Sequence, residues 1–213
     1  VPLTNIMYCG CRVLNKKLRS ASGVKELYEG GMGRDIARLG FFHGFARLFP
    51  HLRLLSYSMP YDVSLEVISG IPFALPSSIT HLEITGTHAE AQFMSNRVRS
   101  LKTLLPQLEH LTLHSHHEPT WDKEMLGHLP ATLKTLSLPR NYDLKYFTAL
   151  LPHGLTALNL ASNENLDDMD IINMPRGLTS LTLHGIKLNP LPSAFLSLPL
   201  QTLHLLGTFR GSW

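Results

Sequence analysis

The stretch "LPHGLTALNLASN", residues 151–163, sets leucines at 155, 158 and 160 behind Pro152 and ahead of Asn163. Leu158, Asn159 and Leu160 alternate apolar and polar, the two-residue period of a half-buried strand. Asn163 stands where the chain must turn, and an Asn side chain can bond the backbone close to it. A strand this short has no core of its own. Its meaning depends on whether the pattern returns.

It returns along the chain. The spacing L-x-x-L-x-L is met by Leu52/Leu55/Tyr57, Ile79/Leu82/Ile84, Leu108/Leu111/Leu113, Leu133/Leu136/Leu138, Leu155/Leu158/Leu160, Leu178/Leu181/Leu183 and Leu200/Leu203/Leu205. Successive first positions differ by 27, 29, 25, 22, 23 and 22 residues. Pro50, Pro76, Pro106, Pro130, Pro152 and Pro175 stand two or three residues ahead of their rungs, and Pro199 directly precedes Leu200. A weaker copy begins at Val24/Leu27, 28 residues before Leu52. A short strand and its return segment cannot bury an apolar side alone, but stacked units share one continuous interior.

Periods of about 20 to 29 residues with this motif mark leucine-rich repeats. The sequence resembles that superfamily over residues 50–207, and from 24 if the weaker copy counts. Its repeats have the divergent form L-P-x-x-L-T-x-L-x-L. The resemblance implies an α/β leucine-rich-repeat solenoid, a horseshoe with a parallel β-sheet on its concave face and short helical, 3₁₀ or extended convex segments. The expectation is one domain over 1–213 with seven or eight units: a cap at 1–49, repeats at 50–207 and a C-terminal end at 208–213. Within the cap, "GRDIARLGFFHGFARLF" carries apolar residues at near-helical spacing behind Asp35, so a helix is predicted to cover the open end of the sheet. Phe209 and Trp213 offer a minimal cap at the other end.

The return segments also have apolar spacing. Leu144, Phe147 and Leu151 suit a helical turn, as do Leu166, Met169 and Ile172. Pro190 and Pro192 make the last return extended or a brief 3₁₀ turn.

Composition narrows the class. The chain has 213 residues, 44% of them hydrophobic, enough for a continuous core. No apolar run approaches the roughly 18 residues of a membrane span. Cys9 and Cys11 are the two cysteines, too few for a disulfide framework, and no Asn-x-Ser/Thr sequon occurs. These features point to an intracellular, cytoplasmic setting. The two thiols lack the second pair that a zinc site needs. Residues 1–53 hold nine Lys/Arg against three Asp/Glu, a balance of +6 within a chain of formal charge +3. Arg12, Lys16, Lys17 and Arg19 form a basic surface in an acid-free opening stretch that weakly resembles an organelle-targeting segment. The same stretch could meet phosphate or acidic protein.

"GGMGRD", residues 30–35, has glycines and an Arg before the predicted helix but lacks a complete phosphate-binding motif. "NENLDDMD", residues 163–170, gathers Glu164, Asp167, Asp168 and Asp170 without the glycine or spacing of a calcium loop. Acids at the start of a short helix favour its positive end, which is the reading adopted for them.

The chain has 12 histidines. The ladder places His81 and His110 at one outward position of neighbouring strands, about 4.8 Å apart, with Glu83 close by. Such a trio could hold zinc with a water, or change charge between about pH 5 and 8. The plainer reading is a set of imidazoles on a binding face, and no metal or cofactor is expected. His114, His184 and His204 fall outward too, with Thr112, Ser137 and Asn159 among small hydroxyl and amide residues. "HSHH", residues 114–117, leaves the strand end into a loop.

A concave face with so few Lys/Arg disfavours nucleic acid there, although the basic N-terminal region leaves that open. No G-x-S-x-G or H-E-x-x-H motif is present, so the chain reads as non-catalytic. The expected function is a protein-interaction module whose partner meets His81, Glu83, His110, Thr112, His114, Ser137, Asn159, His184 and His204. Two alternatives stand beside it. One is a structural subunit of a large, even ribonucleoprotein, assembly anchored by the basic region. The other is the recognition arm of a ubiquitin ligase or effector protein.

Overall fold

The computed structural model describes residues 5–8, 26–29, 49–58, 75–86, 101–115, 126–140, 147–163, 166, 168–185 and 193–206. These contain nine strands: β1 (Asn5–Tyr8), β2 (Glu26–Glu29), β3 (Leu54–Ser58), β4 (His81–Gly86), β5 (His110–Ser115), β6 (Thr135–Ser137), β7 (Ala157–Ala161), β8 (Ser180–His184) and β9 (Thr202–Leu206). All neighbours are parallel and the sheet order is the sequence order. A chain that adds each strand beside the last, always in one direction, must return along the outside every time. That is the course of a solenoid.

Register follows the leucines. Leu55, Leu82, Leu111, Leu136, Leu158, Leu181 and Leu203 are successive Cα partners across the sheet. The column continues backwards through Leu27 to Ile6. The weaker copy at Val24/Leu27 therefore marks a strand, and β1 adds another within the stretch read as a cap. The predicted helix of residues 33–49, the Cys9/Cys11 pair, the basic residues Arg12, Lys16, Lys17 and Arg19, "GGMGRD" and the Phe209/Trp213 end lie outside the described residues, Phe49 excepted.

Alternation along the strands puts leucines inside. In β7, Leu158 and Leu160 are buried while Ala157, Asn159 and Ala161 are half-buried. The same holds for every leucine or isoleucine of the rungs from Ile79 to Leu183. Each fully buried Leu contributes about 1.5 to 3 kcal/mol of apolar transfer, but only because a rung stands on either side of it. On β9, at the end of the sheet, Leu203 stays 38% exposed.

The prolines start the rungs through a repeated turn. Amides of Leu52, Ile79, Leu108, Leu133, Leu155 and Leu178 donate to carbonyls three residues back, those of Phe49, Pro76, Leu105, Pro130, Pro152 and Pro175. The two proline spacings are thus two places in one turn. Pro76, Pro130, Pro152 and Pro175 open it, while Pro50 and Pro106 occupy its second position, where a fixed φ near −65° is already the right one. After the strand, Arg140 and Ser162 (φ 62° and 61°) and Gly185 (φ 75°) turn the chain outward in the left-handed region. Asn163, wholly buried, stabilises that exit by donating Nδ2 to the carbonyls of Leu138, Leu160 and Ala161.

The convex returns are short: a 3₁₀ turn at Thr148–Leu150, helix α1 at Asp168–Ile172 and a 3₁₀ turn at Ser193–Ser197. The last is the brief 3₁₀ turn expected there. Helix α1 packs a different face from the one its apolar spacing suggested. Met169 and Ile172 are more than half exposed, whereas Leu166, Asp170, Ile171 and Met174 are buried. Asp170 is therefore not an acid placed for the helix dipole. Its Oδ1 accepts the backbone N–H of Phe147 in the preceding return at 3.2 Å, a bond that offsets the cost of burying it.

Candidate partner-binding face

One repeated bond sets up the mouth of the sheet, where the chain enters each strand. The carbonyl of Arg53 accepts two backbone amides of the next unit, Thr80 and His81, both at 2.9 Å. Thr80, Glu109, Lys134, Thr156 and Thr179 repeat this towards the following unit. The backbone at this column is thereby fixed, and its side chains are free to vary along the rim.

His81 and His110 are register partners, and their rings stack with centroids 3.9 Å apart at an interplanar angle of 16°. The Oγ1 of Thr80 lies 2.8 Å from Nδ1 of His81. A hydroxyl can give or accept that proton, so it supports either tautomer. Glu109 and Lys134 join at 2.8 Å beside the stack. The Lys134 ammonium, by hydrogen bond, holds the Glu109 carboxyl below its ordinary range. Burial, and then the neighbouring His81, hold His110 below the ordinary imidazole value.

Glu83 does not complete the trio with the histidines. Its register partner Ser56 donates Oγ to Glu83 Oε2 at 2.9 Å, so its carboxylate is directed towards β3. Among the described residues, no three of His, Cys, Asp or Glu gather as a metal ion would need.

The other expected residues spread along the same face. Thr112 and Ser137 are register partners, and Ser137 is followed by Asn159, whose Nδ2 donates to Ser137 Oγ at 3.1 Å. His114 pairs with Thr85 at the far end of β5, well away from the stack. His184 ends β8, where Ser162 Oγ lies 3.3 Å from its Nδ1, and His204 sits exposed on β9 beside Thr182. The nine residues thus belong to one sheet, and two close pairs form among them: the stacked His81/His110 and the hydrogen-bonded Ser137/Asn159.

Sequence reasoning missed the rim. A hollow of roughly 800 Å³ opens at the mouth of β3–β5, lined by His51, Arg53, Thr80, His81, Gln107 and Glu109, among others. Arg53, Thr80 and Glu109 stand in the first gap of L-x-x-L, just before their strands, His81 stands in the second, and His51 and Gln107 directly precede Leu52 and Leu108. The signal was available, because in register that column reads Arg53, Thr80, Glu109, Lys134, against Thr156, Thr179 and Gln201 further on.

No protein-family model matches the sequence, and no curated protein is similar to it. Among solved structures, the fold is similar to a leucine-rich-repeat protein of Leptospira interrogans, at 21% identity and a TM-score of 0.53, over 91% of this chain and 46% of that one. The chain therefore spans about half the length of that protein. An internalin of Listeria monocytogenes (18% identity, TM-score 0.49, 90% of this chain and 57% of that one) is also similar. So is a circular leucine-rich-repeat protein (18%, 0.46, 87% and 27%). Among the described residues, no helix is long and apolar enough to cross a membrane. The parallel sheet, its leucine register and the likeness to the Leptospira protein agree: the chain has the fold of a leucine-rich-repeat solenoid.

Proposed function

We propose that the chain is a non-catalytic protein-interaction module, and that its partner lies across the concave face over strands β4–β8. The observation that carries this reading is a pair of outward columns of small polar side chains. Thr112, Thr135, Ser137, Asn159, Ser180 and Thr182 are half-buried beside the stacked pair His81/His110. Such a face offers hydrogen bonds over an extended area with little fixed charge to desolvate beyond Glu83. Sparse Lys/Arg makes it a poor surface for phosphate backbones.

The test is an affinity capture from native lysate with the parent and three variant baits. Thr112→Arg/Thr182→Arg and His81→Ala/His110→Ala should each lose a partner that the parent retains. Ile172→Lys, on the exposed convex side, should keep it. A partner lost with the convex change but retained by both concave variants would overturn the reading.

A further inference from the structure

We infer that the hollow at the mouth of β3–β5 is a carboxylate site, in which Arg53 receives an acidic side chain of a protein partner. The inference rests on the interaction-module reading for the source of the carboxylate, but not for the existence of the site.

The hollow, at about 800 Å³, is of the size that holds a side chain together with part of its backbone. Its lining is asymmetric in chemistry. Arg53, Gln107, His51 and His81 bring donors to it, while Glu109 is its acid. That acid is already engaged: the Lys134 ammonium sits 2.8 Å from Glu109 Oε1. Glu83, further along β4, accepts from Ser56. Arg53 is exposed and makes no ion pair among the described residues. A guanidinium fork fits a carboxylate through two parallel N–H···O bonds, which gives orientation as well as attraction.

The alternatives fit less well. A Lys or Arg guest would face Arg53 as a like charge and would have to displace Lys134 to reach Glu109. A phosphate dianion would meet one engaged acid with one guanidinium to offset it. Among the described residues of the lining, Arg53 is the cation left for a carboxylate to meet.

The imidazoles add a pH dependence. His81 is faced by His110 on β5 and by Thr80 just before its own strand, and the hollow that it lines also holds Glu109, His51 and Arg53; Lys134 is bound to Glu109, and Glu83 to Ser56. A bound carboxylate favours the protonated form of an imidazole beside it, so affinity rises as pH falls. The ring-to-ring stack limits the gain, because two charges 3.9 Å apart repel.

The test titrates the chain with a capped triglutamate peptide, a capped triglutamine peptide and inorganic phosphate, following the imidazole Cε1–H resonances by NMR. Triglutamate should move the His51 and His81 signals saturably, and more tightly at about pH 6 than at about pH 7.5. Triglutamine should leave them in place. Arg53→Gln should weaken triglutamate by about tenfold or more, with Arg53→Lys between the two. Arg53 is exposed, so a thermal melt should show both variants folded like the parent.

An equal response to both peptides, or a titration unchanged by Arg53→Gln, overturns the site. Phosphate binding more tightly than triglutamate overturns the carboxylate assignment. The two readings fail separately. Saturable peptide binding with no concave-face partner would keep the site and remove the module. A captured partner with silent peptides would do the reverse.

Discussion

Strands β3–β5 and strands β7–β8 are built on one backbone and present different rims. In both, a carbonyl just before the strand accepts two amides from the next unit. In the later region the column is threonine: Thr156 and Thr179 return their hydroxyls to the carbonyls of Lys134 and Thr156, each at 3.1 Å. Those side chains strengthen the stack. In the earlier region Thr80 makes the same kind of bond, to the carbonyl of Arg53 at 3.4 Å, but Arg53 and Glu109 on either side of it, with Lys134 just before β6, bring charge to the rim. Repeat spacing differs in parallel, 27 and 29 residues between the earlier rungs against 22 and 23 between the later ones. The leucine ladder therefore sets where a side chain can stand, and the residue beside it decides whether that place serves the scaffold or a ligand.

If the scaffold is the same in both regions, truncating the same rung position must cost the same. Leu82→Ala in β4 and Leu158→Ala in β7 remove side chains that are 3% and 2% exposed. Each should lower the unfolding free energy by about 2 to 5 kcal/mol in urea denaturation. Leu203→Ala, at the same position of β9 but 38% exposed, should cost less than about 1.5 kcal/mol. Clearly unequal losses at Leu82 and Leu158 would break the comparison at its base.

A gain of stability would sharpen it. Ser78 donates Oγ to the carbonyls of Leu52 and Pro50, and Thr132 donates to those of Leu108 and Pro106. The later region has Gly154 and Gly177 at this position. A Cβ on Gly154 would lie 3.5 Å and 3.6 Å from the carbonyls of Ala131 and Leu133, the counterparts of the pair that Ser78 reaches. That is ordinary contact distance, and no left-handed φ demands glycine there. Gly154→Ser should therefore add an inter-unit hydrogen bond and reduce the freedom of the unfolded chain. We expect about 1 kcal/mol of added stability, read as a raised urea midpoint with an unchanged slope. A loss would show that the later units pack too closely to accept what the earlier ones use.

The fold was legible because its signal is repeated. A two-residue alternation is ambiguous once, but the same alternation at seven regular places fixes both strands and register. Once Leu82 and Leu111 are register partners, His81 and His110 must be neighbours, and the stacking of their rings is what the structure adds. Asp170 was not legible. Which face of a five-residue helix is buried depends on the returns packed against it, and an acid among apolar residues reads as solvent-facing until its partner, the Phe147 amide, is seen. Glu83 misled for a related reason, since its proximity to His81 along the strand said nothing of Ser56 across it. The rim was missed because attention stayed on residues within the strands, His81 and His110 among them, while Arg53, Thr80 and Glu109 of the hollow stand at the first x of L-x-x-L, just before them.

The smallest effect separates the two regions by charge alone. His110 is held below the ordinary imidazole value first by burial and then by His81, with Glu109 opposing and Lys134 adding to the lowering. A histidine whose folded value is depressed binds protons more readily in the unfolded chain. Its contribution to stability is present above the unfolded value and is lost as pH falls through the folded one. Proton NMR of the folded chain should find His110 titrating below a free imidazole. His81→Ala should move it upward but not fully, because burial is a larger cause of the lowering than the stacked ring. Glu109→Gln should move it further down by removing the opposing charge. A titration of His110 indifferent to His81→Ala would mean that the stacked rings do not interact electrically, and the charge that sets the earlier rim apart would then rest on Arg53, Glu109 and Lys134 alone.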